Sequence, residues 1–427
     1  MPLIQLIKNK SAYILLLLGM VFLSGCGFCL HSGGSADSSS QDSLRDQEEF
    51  SLRNDPIWSD EESMKAMVLS DLHYTENADA NPSLVPGIAL AEEITDAIVA
   101  EVIDRHPDVL IMTGDNTDSG KEKDVHALVQ KLQTIRDKGI SIILTTGNHD
   151  FNHMNAEEFE EAYFGLLNPV DRDPDSLSYT AIVKDVVFLV MDDNSLYNGG
   201  HGEFSQKTIW WIGEILEKYR THPVIFLSHH NVIYGYGKDN SDSHLIQNPD
   251  LPELLTDGGV RLALTGHMHS QYITKRGGLW EILSGMPFSG EHLIGNLAVD
   301  EDKILYYAEP VDFEEYDSAI VEELDRLDRA SADYISRIFS KVLDQKGVRG
   351  SGKSRVQGLL DRFFRYYGQG TLSEHRQELM DDPAYERMIT LLWDSNYGPW
   401  IKEMIETTRY SSRKLEIPWQ IQNQKTR

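Results

Sequence analysis

The sequence predicts an α/β domain followed by an all-α domain, and three observations carry that prediction. Short apolar runs alternate with amphipathic helical stretches from about residue 64 to residue 310. Each apolar run empties into a polar loop. Beyond Pro310 the helical spacing continues while strand signals fade. Strands that alternate with helices argue for helices covering a sheet. A chain of 427 residues suits two domains better than one.

The chain opens on a leader. Lys8 and Lys10 form a basic start, and Ala12 to Leu23 is nearly all apolar. That run is shorter than the ~20 residues a spanning helix needs, so it reads as a secretory signal. Its end, Leu23-Ser24-Gly25-Cys26, resembles the lipobox of bacterial lipoproteins. The resemblance implies cleavage after residue 25, lipidation of Cys26 and anchoring on the extracytoplasmic side of a bacterial cell membrane. Residues 26–62 are rich in Ser, Gly, Asp and Gln and cannot bury enough surface to fold. They read as a flexible tether with a reach of ~30 Å.

The body follows as residues 63–311. Ala66 to Leu69 reads as a buried strand running into Ser70-Asp71-Leu72-His73. Ile94, Ile98 and Val102 recur at helical spacing, and Pro107 stops that helix. Asp108 to Thr113 is the next strand, ending in Gly114-Asp115. Val125, Leu128, Leu132 and Ile135 mark a second helix, closed by Gly139. Ile142 to Thr145 leads into Gly147-Asn148-His149-Asp150. Val186 to Met191 leads into Asp192-Asp193-Asn194, and Ser205 is placed to cap a helix carrying Ile209, Ile212 and Leu216. Pro223 to Leu227 ends in Ser228-His229-His230, and Arg261 to Thr265 in Gly266-His267-Met268-His269. Residues 279–310 read as short strands with Gly turns, and residues 312–427 as a helical accessory domain. Phe363, Phe364, Trp393 and Trp400 are expected in the core of that domain.

Composition narrows the function. The formal net charge is −29. A surface that acidic repels phosphate backbones, so no polymeric nucleic-acid partner is expected. It disfavours any anionic substrate unless bound cations invert the field locally. The two cysteines, Cys26 and Cys29, lie near the N-terminus, so a metal site in the body must use His, Asp, Glu or Asn. In open α/β sheets, ligand sites collect at the carboxyl ends of strands. Five such ends carry Asp71 and His73, Asp115, Asn148 and His149, His229, and His267 with His269. Carboxylate, amide oxygen and imidazole suit Mn, Fe or Zn.

The ordered set Asp71-x-His73, Gly114-Asp115, Gly147-Asn148-His149-Asp150, His229 and Gly266-His267-x-His269 resembles the calcineurin-like metallophosphoesterases. Ser-Asp-x-His and the paired histidines resemble their class III cyclic-nucleotide phosphodiesterase branch. The resemblance implies a four-layer αββα metallophosphoesterase sandwich with the helical domain appended. It implies two metal ions (Mn2+, Fe2+ or Fe3+, or Zn2+), one held by Asp71, His73 and His269, the other by Asn148, His229 and His267. Asp115 would bridge them. His149 would reach the scissile phosphate and protonate the leaving group, and Asp150 would orient it. His229 is preferred over His230 because it stands directly at the strand end. The implied activity is hydrolysis of small phosphodiesters, 3′,5′-cyclic nucleotides among them, by a metal-activated hydroxide. The alternative is a broader extracellular monoesterase, nucleotidase or glycerophosphodiesterase. A non-enzymatic surface lipoprotein is the third reading, and the intact ligand set argues against it. Asn116 departs from the family's usual apolar residue, and Asn231 and Val232 stand where the branch often has Pro. Tyr74 and His201 lie near site loops, with ordinary loop roles favoured over substrate contact.

Overall fold

The computed structural model describes residues 62–76, 87–194, 201–233, 244–288, 290–395 and 397–418. The expected leader, Cys26 and the expected tether up to residue 61 lie outside the described residues. Two six-stranded sheets form the body. In the first, β1 (Met64–Leu69), β2 (Val109–Met112) and β3 (Ser141–Leu144) run parallel. Helices α1 (Ala91–Arg105) and α2 (Glu122–Arg136) make the crossovers. The sheet is extended antiparallel by β10 (Leu293–Val299), β11 (Lys303–Pro310) and β12 (Lys414–Pro418). A short helix, α3 (Ala156–Tyr163), follows β3 under an Asn155–Glu158 capping box.

The second sheet has the order β4-β5-β6-β7-β9-β8. Strands β4 (Tyr179–Val183) and β5 (Val186–Val190) form a hairpin. Strands β6 (Val224–Leu227), β7 (Leu262–Thr265) and β9 (Leu279–Leu283) run parallel to β5, and β8 (Tyr272–Arg276) pairs antiparallel with β9. Helices α4 (Gln206–Lys218) and α5 (Leu251–Asp257) cover one face. Ser205 caps α4 by accepting a hydrogen bond from the Thr208 N–H at 3.1 Å.

Alternation along the strands shows how the layers stack. Phe188, Val190, Ile225, Leu227, Leu262 and Leu264 join the core shared with the first sheet. Their neighbours Val187, Leu189, Val224, Phe226 and Ala263 pack with Ile212, Ile215 and Leu216 of α4 and Leu251 and Leu255 of α5. A strand buried on both faces needs this continuous apolar run. The order is helix, sheet, sheet, helix.

The C-terminal region is helical. It comprises α6 (Phe313–Tyr316), α7 (Val321–Gln345), α8 (Gly350–Gly368), α9 (Leu372–Asp381), α10 (Tyr385–Leu392) and α11 (Tyr397–Thr407). Phe339, Leu360, Phe363, Phe364, Trp400 and Ile401 build its core. Trp393 differs from the expectation: it is 56% exposed. It follows the buried Leu392 at the end of α10, where one residue of helical rotation turns a side chain off the buried face. The region also does not stay helical to its end. Leu415 and Ile417 alternate with Lys414 and Glu416 in β12, which pairs with β11 and closes the edge of the first sheet.

Phe188 is fully buried between the sheets, so Phe188→Ala is expected to lower the unfolding free energy by about 3–5 kcal/mol. Urea denaturation checks this, and a loss below about 1 kcal/mol would contradict the two-sheet interface.

Candidate metal centre

The carboxyl ends of β1, β2, β3, β6 and β7 meet at one edge of the sandwich. Backbone hydrogen bonds stitch the loops together there. Asp71 N–H donates to the Gly114 carbonyl at 3.1 Å, His73 N–H to the Asp115 carbonyl at 2.9 Å, and Gly266 N–H to the His229 carbonyl at 3.0 Å. Close approach requires glycine at two points. A Cβ on Gly147 would lie 2.0 Å from the Asp115 nitrogen, and one on Gly266 would lie 1.9 Å from Ser70 Oγ.

Five of the residues concerned adopt the left-handed backbone conformation that L side chains disfavour. Their φ angles are 51° at Asp71, 41° at His73, 47° at Asp115, 67° at His267 and 51° at His269. Such residues cost about 1–3 kcal/mol each and persist where the surroundings over-determine them. The strain turns side chains from several strand ends toward one volume.

The donor atoms fall into two groups that share one oxygen. In the first, His73 Nε2 lies 3.0 Å from His269 Nε2, and His269 Nε2 lies 3.4 Å from Asp71 Oδ1. In the second, Asn148 Oδ1 lies 3.1 Å from His229 Nε2 and 3.0 Å from His267 Nδ1. These two nitrogens are 3.2 Å apart. Asp115 Oδ2 sits between the groups, 3.6 Å from His73 Nε2 and 3.4 Å from His229 Nε2. Asp71, His73 and His229 are fully buried and Asp115 nearly so.

This donor set fits metal cations. Two imidazole nitrogens at 3.0 Å share at most one proton, whereas a cation accepts both lone pairs. His229 Nδ1–H donates to the Thr113 carbonyl at 3.0 Å, which fixes the ring and aims Nε2 at the site. Asp71, His73, Asp115 and His269 form a set whose ligand atoms all lie within 4.8 Å of one another.

Electrostatics point the same way. Burial, then the neighbouring charge of His149, pulls the His73 imidazole down to about 3. Burial, with His230 and His229 beside it, holds His267 well below the ordinary range. Burial also opposes a charge on His229, but the Asp115 carboxylate outweighs it and raises that ring to about 10. Burial likewise opposes ionisation of Asp115, yet His229 and His149 hold its carboxyl well down. A proton on His229 Nε2 thus occupies the position a cation would take.

His149 stands beside these groups, its ring centre 4.6 Å from that of His73. Its N–H donates to Asp115 Oδ1 at 2.8 Å, and its Nδ1–H donates to the Asp118 carbonyl at 2.8 Å. The orienting contact of the ring therefore runs to Asp118 and not to Asp150. Asp150 is fully buried and accepts five hydrogen bonds, from Asn116 N–H and Nδ2, Thr117 N–H and Oγ1, and Gly147 N–H. It braces the loops after β2 and β3. Burial and the Asp115 charge push its carboxyl up to about 6.

The departures from the family pattern have local reasons. Asn116 Nδ2 also donates to the Thr145 carbonyl at 2.9 Å, tying the ends of β2 and β3. Asn231 N–H donates to the His244 carbonyl at 3.0 Å, a bond that Pro lacks the hydrogen to make. Val232 and Ile233 N–H groups donate to the buried Glu281 carboxylate at 2.6 and 3.0 Å. His230 is fully buried beside His267 and His229. Its Nδ1 is 3.5 Å from Asp193 Oδ2, and its ring centre is 4.2 Å from that of His267. Tyr74 is fully buried in the core, and His201 Nε2 lies 3.8 Å from Glu203 Oε2.

Sequence reasoning missed Asp118, Asp193 and His244. Asp118 Oδ1 is 3.8 Å from His73 Nδ1, and its place three residues after Asp115 was a usable signal. The His244 ring lies 5.3 Å from that of His267. It is brought there by a bridge between Asn231 and Leu245 that no local pattern announces.

Comparison with known proteins agrees with this geometry. The family model for calcineurin-like phosphoesterases matches residues 64–271. The chain is 25% identical over 167 residues to a probable glycerophosphodiester phosphodiesterase from Arcobacter nitrofigilis, covering 38% of this chain and 57% of that protein. The chain thus spans little more than half the length of that curated relative. Among solved structures, a dimetal phosphatase from Danio rerio is similar at 13% identity. The match covers 58% of this chain and 96% of that one, with a TM-score of 0.46. A putative 5′-nucleotidase from Staphylococcus aureus is similar at 16% identity over 64% of this chain and 59% of that one, with a TM-score of 0.39. The residues that carry the strand-end donors therefore lie within the segment that matches the calcineurin-like phosphoesterase family model.

Proposed function

We propose that the protein is a binuclear metal-dependent phosphodiesterase acting on small phosphodiesters. The observation that carries this is Asp115 Oδ2, placed 3.6 and 3.4 Å from one imidazole of each donor group. Asp71, His73 and His269 would hold one cation, Asn148, His229 and His267 the other, with Asp115 between them. Two cations ~3.5–4 Å apart stabilise the attacking and leaving oxygens of an in-line displacement and acidify a water.

The chain's own residues supply the rest. His149, anchored through Nδ1 to the Asp118 carbonyl, keeps Nε2 for substrate. Burial works against its charge, but Asp115 and Asp118 raise it above the ordinary range. These carboxylates favour the protonated ring, which would give its proton to the leaving oxygen. Asp150 keeps the two loops in register behind it. The likeness to a probable glycerophosphodiester phosphodiesterase supports a diester over a monoester. The proposal extends to place: the Leu23-Ser24-Gly25-Cys26 leader supports a lipid-anchored enzyme outside the membrane, taking extracellular substrates.

His229 holds a proton that a cation must displace, so Mn2+ affinity is expected to rise with pH. The expected slope is about tenfold per unit between roughly pH 6 and 9, one proton leaving per His229 coordinated. Calorimetry in Hepes and in Tris reads that proton directly, and buffer-independent heats would contradict it.

With Mn2+ the protein is expected to hydrolyse bis(p-nitrophenyl) phosphate faster than p-nitrophenyl phosphate. His149→Ala is expected to lower kcat by about 10²–10⁴-fold while metal content stays at the wild-type level. Steady-state kinetics paired with metal analysis checks both. Undiminished turnover in EDTA would overturn the metal assignment, and a preference for the monoester would move the activity to the phosphomonoesterase reading.

A further inference from the structure

The loop after β7 holds one residue that the donors do not use. Met268 lies between His267 and His269 and is fully buried. Its side chain belongs to the apolar cluster built by Phe363, Tyr367, Trp400 and Ile401 of the helical region, together with Tyr272 and Leu283. The rings on either side turn the opposite way, one toward each donor group. This arrangement requires φ angles of 67° and 51° at the two histidines, with a tight bond of 2.7 Å from Met268 N–H to the Gly266 carbonyl.

The same side of the loop is gripped further on. Gln271 Nε2 donates to the Ser412 carbonyl at 2.8 Å, and its Oε1 accepts from Tyr306 OH at 3.3 Å. Tyr272 OH lies 3.1 Å from Thr408 Oγ1. Ser412 and Thr408 both follow the last helix. Strained backbone persists only where its surroundings over-determine it; here the Asp71 carboxylate accepts the His267 N–H at 3.1 Å on one side, and the helical region packs on Met268 from the other.

We propose that Met268 is a positioning residue. Anchored in the helical core, it holds His267 and His269 in the left-handed conformations that give each metal one ligand. The helical region is then part of the scaffold of the metal centre, although none of the donors named above comes from it. The inference rests on the two-cation reading above.

The test compares Mn2+ binding by the full-length protein, by equilibrium dialysis with metal analysis, in Met268→Ala, Met268→Leu and Ile212→Ala. Ile212 is fully buried in the core beneath α4, away from the helical region, and serves as a control for general destabilisation. Circular dichroism confirms that each is folded at the temperature used. Met268→Ala is expected to weaken Mn2+ binding by about 10- to 100-fold. Met268→Leu, which conserves volume, is expected to stay within about threefold of wild type. Ile212→Ala is expected to lower Tm without changing Mn2+ affinity. Wild-type affinity in Met268→Ala, or an equal loss in Ile212→Ala, would overturn the proposal. If the alanine variant is not recovered folded, Met268→Val is read by the same criterion. A wild-type protein that binds fewer than two Mn2+ overturns the two-cation reading itself, and the same titration shows it.

Discussion

Asp115 is the point on which the rest of the structure turns. Its Oδ2 atom lies between imidazoles delivered by the two different sheets, from β1 and from β6. A carboxylate that is 1% exposed is costly to bury without opposite charge. Its other oxygen accepts the His149 N–H. The fold therefore concentrates negative charge and nitrogen lone pairs at one edge: the carboxylates call for opposite charge, which a proton on His229 supplies when no metal is bound, and the lone pairs call for an acceptor. Cations answer both demands.

The machinery around that point keeps the donors in place. Thr113 fixes the His229 ring, Asp118 fixes the His149 ring, and Asp150 locks the loops after β2 and β3. The strained φ angles at Asp71 and His73 sit where their N–H groups donate to the Gly114 and Asp115 carbonyls, and those at His267 and His269 flank the buried Met268. The acidic surface, with a formal charge of −29, would repel a phosphoester from everywhere except the neighbourhood of bound cations, so the same charge that disfavours non-specific anions sharpens the site.

Much of this was legible before any coordinates. Strands β1, β2, β3, β6 and β7 each announce themselves by a short apolar run that ends in a polar pair, because a strand buried on both faces must be apolar throughout and its end must reach solvent. The donors at 71, 73, 115, 148, 229, 267 and 269 follow from those ends. What was not legible depends on contacts across long sequence separations. The hydrogen-bond partner of the His149 ring is a backbone carbonyl, which carries no side-chain signature, while Asp150, expected to orient that ring, accepts its bonds from Asn116, Thr117 and Gly147. His244 arrives by a bridge outside any strand. Strand β12 pairs with β11 more than a hundred residues away in sequence, and its two apolar residues are too few to stand out after a long helical stretch. Met268 looks like a spacer between histidines until the helical region is seen to bury it.

The account's central claim is that two cations share Asp115. Anomalous-difference density from crystals grown with Mn2+ tests it most directly. Two peaks ~3.5–4 Å apart, one beside Asp71, His73 and His269, the other beside Asn148, His229 and His267, with Asp115 touching both, are the expected result. A single peak, or a pair that leaves Asp115 uncoordinated, would contradict it.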